Sequence, residues 1–188
     1  MDRKRDNLYV ALIHYPVLNK QQETIGSAVT NIDLHDIARA SRTFGVRGYY
    51  VVTPYEDQQK LTRQITEHWT RGGGGKRNPD RKAALELIRV VNSFEEVVQD
   101  IKNERNQPVV TVGTSAKPGQ QPLSTAAFQK ELDTNASHVI LFGTAWGLAA
   151  ELMEACDLQL EPIKGAGDYN HLSVRSAASI YLDRITNG

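Results

Sequence analysis

Four short apolar runs rich in β-branched and aromatic residues recur along the chain, at 8–14 (LYVALIH), 47–53 (RGYYVVT), 108–113 (PVVTVG) and 137–143 (SHVILFG). Their near-continuous apolarity predicts strands buried on both faces, the signature of a parallel sheet. Parallel neighbours cannot be joined by a tight turn and need crossovers of a dozen or more residues. The intervening segments meet that need, because helical patterns run over 33–44, 56–70, 80–89, 94–105, 125–132 and 148–156, several opened by Asp, Ser or Pro. The expected fold is therefore α/β, a mostly parallel sheet flanked by helices. Beyond it lie a strand-like piece at 158–163, a glycine-containing loop at 164–171 and an amphipathic helix at 172–185. Ala177, Ala178, Tyr181, Leu182 and Ile185 form the helix face expected to pack on the sheet.

A chain of 188 residues with no internal repeat or linker is expected to form one domain. No apolar run approaches the ~18 residues of a membrane span, and residues 1–6 lead into the first strand without a small-residue cleavage site. The single cysteine, Cys156, excludes an intrachain disulfide and a multi-cysteine zinc site, so a reducing cytoplasm is the expected location, with no membrane partner. Charge is balanced overall, 22 Lys+Arg against 22 Asp+Glu, yet residues 1–94 carry a net +5 and residues 95–188 a net −5. That asymmetry suits a polyanion gripped from one side. Residues 71–82 (RGGGGKRNPDRK) are the one low-complexity stretch and are expected to form a mobile loop.

Common chemical motifs fail on inspection. Gly75-Lys76 lacks the preceding glycine of a phosphate loop, where position 70 is Thr, and the following Ser or Thr, where position 77 is Arg. Gly165-Ala-Gly167 has Asn170 where a dinucleotide fingerprint requires its third glycine. No serine stands in a G-x-S-x-G elbow, and the five histidines show no H-E-x-x-H spacing, so nothing points to metal chemistry. What remains is three glycine-bearing loops after late strands: Gly113-Thr-Ser115, Gly143-Thr-Ala-Trp-Gly147 and the segment 164–171. Ligands of open α/β sheets bind where loops leave strand C-termini, and glycine lets backbone amides come close to them. Each glycine alone is equally accounted for as a strand end or helix cap; the three together describe a pocket.

Three ordered segments carry a family resemblance. Residues 30–39 (TNIDLHDIAR) followed by 40–46 (ASRTFGV), residues 139–148 (VILFGTAWGL), and residues 161–165 (EPIKG) through 170–178 (NHLSVRSAA) resemble the three motifs of the SPOUT, or α/β-knot, S-adenosylmethionine-dependent RNA methyltransferases. The resemblance covers nearly the whole chain and is to a bacterial subgroup with little beyond the catalytic domain. It implies a C-terminal trefoil knot, a homodimer, S-adenosylmethionine as cofactor and RNA, tRNA or rRNA, as substrate. Asp33 stands where the ribose-methylating branch usually has asparagine, and His171 precedes the Leu172-Ser173 pair. Those departures leave ribose against base methylation open.

Carried over by motif, the resemblance assigns the cofactor to Phe142, Gly143, Thr144, Gly147, Ile163, Gly165, Asn170, Leu172 and Ser173, with Gly113 and Thr114 closing a third side. It makes Arg39 the functional arginine. A guanidinium fork suits either a substrate phosphate or the orientation of the nucleophile; a plain surface pairing with Asp36 or Asp33 is the alternative. Asp33 and Asp36 have the chemistry of proton acceptors, but Thr30-x-x-Asp33 also reads as a capping box and Asp33 suits a helix cap. His35 fits a helix start. Arg71, Lys76, Arg77, Arg81 and Lys82 are expected to meet RNA phosphates, and Trp69 and Trp146 to anchor packing rather than stack on bases. A noncatalytic RNA-binding protein of the same fold is the alternative function; a small-molecule methyltransferase is a third.

Overall fold

The computed structural model of the protein describes residues 5–117, 119 and 121–187, with the side chain of Arg5 outside the described set. Strands β1 (Arg5–Ile13), β4 (Val46–Val52), β5 (Ile88–Val91), β6 (Val109–Gly113), β7 (Ser137–Gly143) and β8 (Leu158–Gln159) form one sheet in the order β5-β4-β1-β7-β6-β8. Every pairing in it is parallel. A two-stranded ribbon, β2 (Val17–Leu18) against β3 (Thr24–Ile25), follows β1.

Alternate residues of the central strands feed two cores. Leu8, Val10, Leu12, Ile140 and Phe142 pack against α1 (Asn31–Thr43), α4 (Pro79–Leu85), α6 (Thr125–Glu131) and α8 (Val174–Asn187). Tyr9, Ala11, Ile13, Val139 and Leu141 pack on the other face against α5 (Phe94–Arg105) and α7 (Ala150–Glu154). Burial of both faces is what the unbroken apolar runs encode. On α8 the expected stripe is the buried one: Ala178, Tyr181, Leu182 and Ile185 lie in the first core, with Ala177 packed against it. Helix α2 (Glu56–Thr70) joins this side through Ile65 and Trp69.

Several local expectations are corrected. Residues 71–82 are not a loop: they hold α3 (Gly73–Arg77) and the start of α4, which Asn78 caps by accepting from the Arg81 amide at 2.9 Å, with Pro79 in the first turn. The glycines serve close packing here, since a Cβ at Gly75 would strike the Trp69 carbonyl. The helix expected over 80–89 ends at Leu85, and Ile88–Val91 becomes the edge strand β5. Strand β8 covers only two residues of 158–163, and α7 is shorter than the expected 148–156. Helix α8 starts two residues later than the 172–185 pattern and runs to Asn187.

Candidate functional site

The C-terminal edge of the sheet is where the three glycine-bearing loops converge, and each is tied down by its own side chains. After β6, Thr114 is buried and donates through Oγ1 to the Leu141 carbonyl of β7 at 2.7 Å. After β7, the segment 144–147 makes a tight turn closed by the Gly147 amide on the Thr144 carbonyl (2.9 Å), with Gly147 at φ +106°, where only glycine is unstrained. A Cβ at Gly143 would collide with the Leu148 amide nitrogen and stand 2.7 Å from the Gly147 carbonyl carbon. The turn is stitched to β2 by the Leu18 amide donating to the Gly147 carbonyl (2.9 Å) and the Trp146 amide to the Leu18 carbonyl (3.0 Å).

The third loop, 164–173, reaches the first through Asn170, whose Nδ2 donates to the Ala116 carbonyl at 3.1 Å. Gly165 turns so tightly that an added Cβ would sit 2.9 Å from the Tyr169 carbonyl. Ile163 is buried at its start, whereas Tyr169, His171 and Leu172 stay exposed. Ser173 is committed to α8, its Oγ accepting from the Ser176 amide at 3.3 Å in the manner of an N-cap. The structure thus brings Gly113, Thr114, Phe142, Gly143, Thr144 and Gly147 to one edge and Asn170 to its flank. The side chains of Thr114 and Ser173 are spent on holding the loops, leaving backbone groups to face a ligand.

Thr144 is likewise held from below, by a polar chain that the sequence pattern does not reveal. Its Oγ1 donates to the Ile13 carbonyl (3.0 Å) and lies 2.5 Å from Ser27 Oγ, which in turn lies 3.0 Å from His14 Nδ1. Ser27 Oγ also lies 3.5 Å from the His14 carbonyl, so strand end, ribbon and turn are joined through one continuous polar chain. His14 is fully buried and neutral, its pKa pushed down to about 4 by burial, against the opposing charge of Asp33. The unfolded chain takes up this proton near 6.5 and the folded one only near 4. Stability present above pH 6.5 is therefore lost as pH falls towards 4. Replacing His14 with Asn keeps a donor for Ser27 without the titration. Urea unfolding at pH 7.5 and 4.5 is expected to show wild type losing about 2 kcal/mol more than the variant between the two pH values.

Helix α1 opens at the same edge. Thr30 is its N-cap, accepting from the Asp33 amide (3.3 Å) and donating to Asp33 Oδ2 (2.6 Å); this is the N-cap half of a capping box, with Asp33 as the third helical residue instead of the cap and its carboxylate on the Thr30 hydroxyl, not the Thr30 amide. Asp33 is 8% exposed and its other oxygen accepts from Arg175 of α8 at 3.2 Å. Both oxygens thus hold structure, one on the cap of α1 and the other on α8. Arg39 makes no salt bridge to Asp33 or Asp36; Arg175 reaches both, with Nε 3.5 Å from Asp36. Arg39 lies exposed in a groove between α1 and α8. His35 is not an isolated helix-start residue, for its ring meets Trp69 edge-on at 5.5 Å.

The expected RNA-contacting residues form a basic shoulder beside α1. Arg71 caps the C-terminus of α2, Lys76 and Arg77 end α3, and Arg81 and Lys82 lie on α4, which packs against α1. Arg71, Lys76 and Arg77 are exposed. Arg81 instead places its guanidinium 4.6 Å over the ring of Trp69, and Lys82 stands 3.8 Å from Glu86. Trp69 is thereby a packing anchor, while Trp146 stands 61% exposed on the β7 turn.

Comparison with known proteins places this geometry in a family. Residues 7–187 match the family described as SAM-dependent RNA methyltransferase. A protein from Oleidesulfovibrio alaskensis named tRNA (guanine-N(1)-)-methyltransferase is 45% identical over 98% of this chain, and one of the same name from Nitratidesulfovibrio vulgaris is 43% identical over 98%. The chain spans 43% of the length of each. An uncharacterized protein of Aquifex aeolicus is 38% identical over 96% of this chain and 88% of its own length. Among solved structures, a probable methyltransferase from Bordetella pertussis superposes with a TM-score of 0.64 at 16% identity, over 99% of this chain and 98% of that one. The SpoU methyltransferase AviRb from Streptomyces viridochromogenes, in complex with AdoMet, superposes with a TM-score of 0.59 at 19% identity, over 96% of this chain and 57% of that one. Fold and family match agree: the chain belongs to the S-adenosylmethionine-dependent RNA methyltransferase family whose model it matches over residues 7–187.

Proposed function

We propose that this chain transfers the methyl group of S-adenosylmethionine to a nucleotide of tRNA or rRNA at the C-terminal edge of its sheet. The observation that carries the reading is the convergence there of the turn after β7, the loop after β6 and the segment 164–173. The residues suit the cofactor. A turn in which Gly143 has no room for a side chain leaves backbone donors and acceptors to meet a ligand, and Ile163 and Leu172 are the apolar side chains that would cover a planar base.

When bound, S-adenosylmethionine supplies an electrophilic methyl carbon on a sulfonium, so the protein has to align two reactants and manage one proton. Gly143, Thr144, Gly147, Gly165 and Asn170 hold the cofactor loops, Gly113 and Thr114 close the side toward β6, and Ser173 sets where α8 begins. Arg39 holds a phosphate of the RNA, its fork giving direction as well as charge. Arg71, Lys76 and Arg77 add backbone contacts, with Arg81 and Lys82 behind them. If each lysine or arginine displaces a condensed counterion, neutralising Lys76 and Arg77 together lowers the slope of log affinity against log salt by about 2. An unchanged slope removes α3 from the interface.

The reading extends to assembly. Residues 1–188 act as one domain, with the segment before α8 threaded as the trefoil knot of the superfamily. The protein acts as a homodimer, the assembly that the family resemblance implies. Among the described residues no helix is long and apolar enough to cross a membrane; the cytoplasm is the location this reading assigns. The names of the two longer relatives favour tRNA as the substrate. The test is transfer of labelled methyl groups to RNA from cells lacking the gene, followed by nucleoside analysis, which also separates ribose from base. Cofactor binding and RNA capture without any labelled nucleoside would favour the noncatalytic RNA-binding alternative.

A further inference from the structure

Asp33, Asp36 and Arg39 follow one another at three-residue spacing on α1, which brings successive members side by side on the helix surface. Left alone, such a series pairs with itself, Asp36 with Arg39. The structure shows a different partner. Arg175, in the first turn of α8, donates from Nη1 to Asp33 at 3.2 Å and sets Nε 3.5 Å from Asp36. Thr30 takes the second oxygen of Asp33 at 2.6 Å. Arg39, one turn further along, has no salt bridge among the described residues and lines the same open groove as Asp36 and Arg175.

We propose that Arg175 is a positioning residue: by occupying Asp33 and Asp36 it keeps the Arg39 guanidinium free for the RNA phosphate and masks two carboxylates that would otherwise repel that phosphate. The inference rests on the reading of Arg39 given above. It also accounts for an arginine at the start of α8, where the helix dipole disfavours a cation: its partners are Asp33 in the first turn of α1, where the dipole favours an anion, and Asp36 one turn on. The two helix starts are thereby tied together across the groove, and the cation on one neutralises the anions on the other.

The test measures the KM for RNA and kcat of Arg175→Ala in the wild-type background and again in an Asp33→Asn/Asp36→Asn background. Removing Arg175 from wild type is expected to raise the KM about tenfold with little change in kcat. In the amide background the same removal is expected to change it less than twofold, because no carboxylate is left to capture Arg39 or repel RNA. Arg175→Lys preserves a charge for buried Asp33 and covers the case in which the alanine variant does not fold; its expected KM lies between the two. The proposal is overturned if removing Arg175 leaves the KM unchanged, or if the loss persists undiminished when both carboxylates are amides. The latter result would mean that Arg175 itself grips RNA, and its salt slope would then fall by about 1. Arg39→Ala with unaltered RNA methylation would instead contradict the reading of Arg39.

Discussion

Gly143→Val is expected to abolish measurable methyl transfer by destroying the cofactor turn. The nearest obstacles to a side chain at 143 are the Leu148 amide and Gly147, both backbone. Backbone cannot rotate aside as a flexible side chain does, and the turn is already fixed by bonds to β2 and to the Ile13 carbonyl. Overpacking costs about 1–3 kcal/mol of folding stability, and a turn displaced to relieve it is expected to bind the cofactor on the order of 100-fold more weakly, about 2.7 kcal/mol. Isothermal titration with S-adenosylmethionine should show that loss while the thermal midpoint falls only modestly, because β7 remains paired on both sides upstream of the turn. The sequence alone suggests that such a side chain fills the ligand slot; the structure shows that it strikes the loop's own backbone first.

Arg39→Ala is expected to leave cofactor affinity within about twofold and to lower kcat/KM for RNA by about 10- to 100-fold, the range for losing a hydrogen-bonded charge pair of about 1.5–3 kcal/mol. Stability should scarcely change, since Arg39 is exposed and makes no salt bridge among the described residues. Arg39→Lys should recover only part of the loss, because an ammonium supplies the charge but not the planar fork. A parallel fall in cofactor affinity would move Arg39 from the RNA to the cofactor side of the site.

The strands, their parallel pairing and the order of helices were legible because two-sided burial leaves unbroken apolar runs such as 137–143. Strand β5 was not, because residues 88–91 continue the apolar rhythm of α4 and only the exit at Leu85 separates them. The ribbon of β2 and β3 is two residues deep, too short for any period. Glycine richness at 72–75 suggested motion, yet those residues form a helix that buries Gly74 and Gly75 against α2.

The candidate site divides in the same way. Its loops were legible as glycines after apolar runs, since strand ends and turns are local features. The polar chain from His14 through Ser27 to Thr144 and the clasp of Arg175 on Asp33 join residues far apart in the chain, the latter 142 positions. Composition and spacing carry no record of such contacts. A buried histidine at the end of an apolar strand was the one available hint that something polar had to meet it.

The most direct measurement is a single-turnover reaction of methyl-labelled S-adenosylmethionine with RNA from cells lacking the gene, run on wild type beside Gly143→Val and Arg39→Ala. The account predicts one labelled nucleoside with wild type, none with Gly143→Val, and the same nucleoside formed 10- to 100-fold more slowly with Arg39→Ala, on the estimate above for a lost phosphate contact. Equal labelling by all three proteins, or none by a wild type that binds both cofactor and RNA, would contradict it.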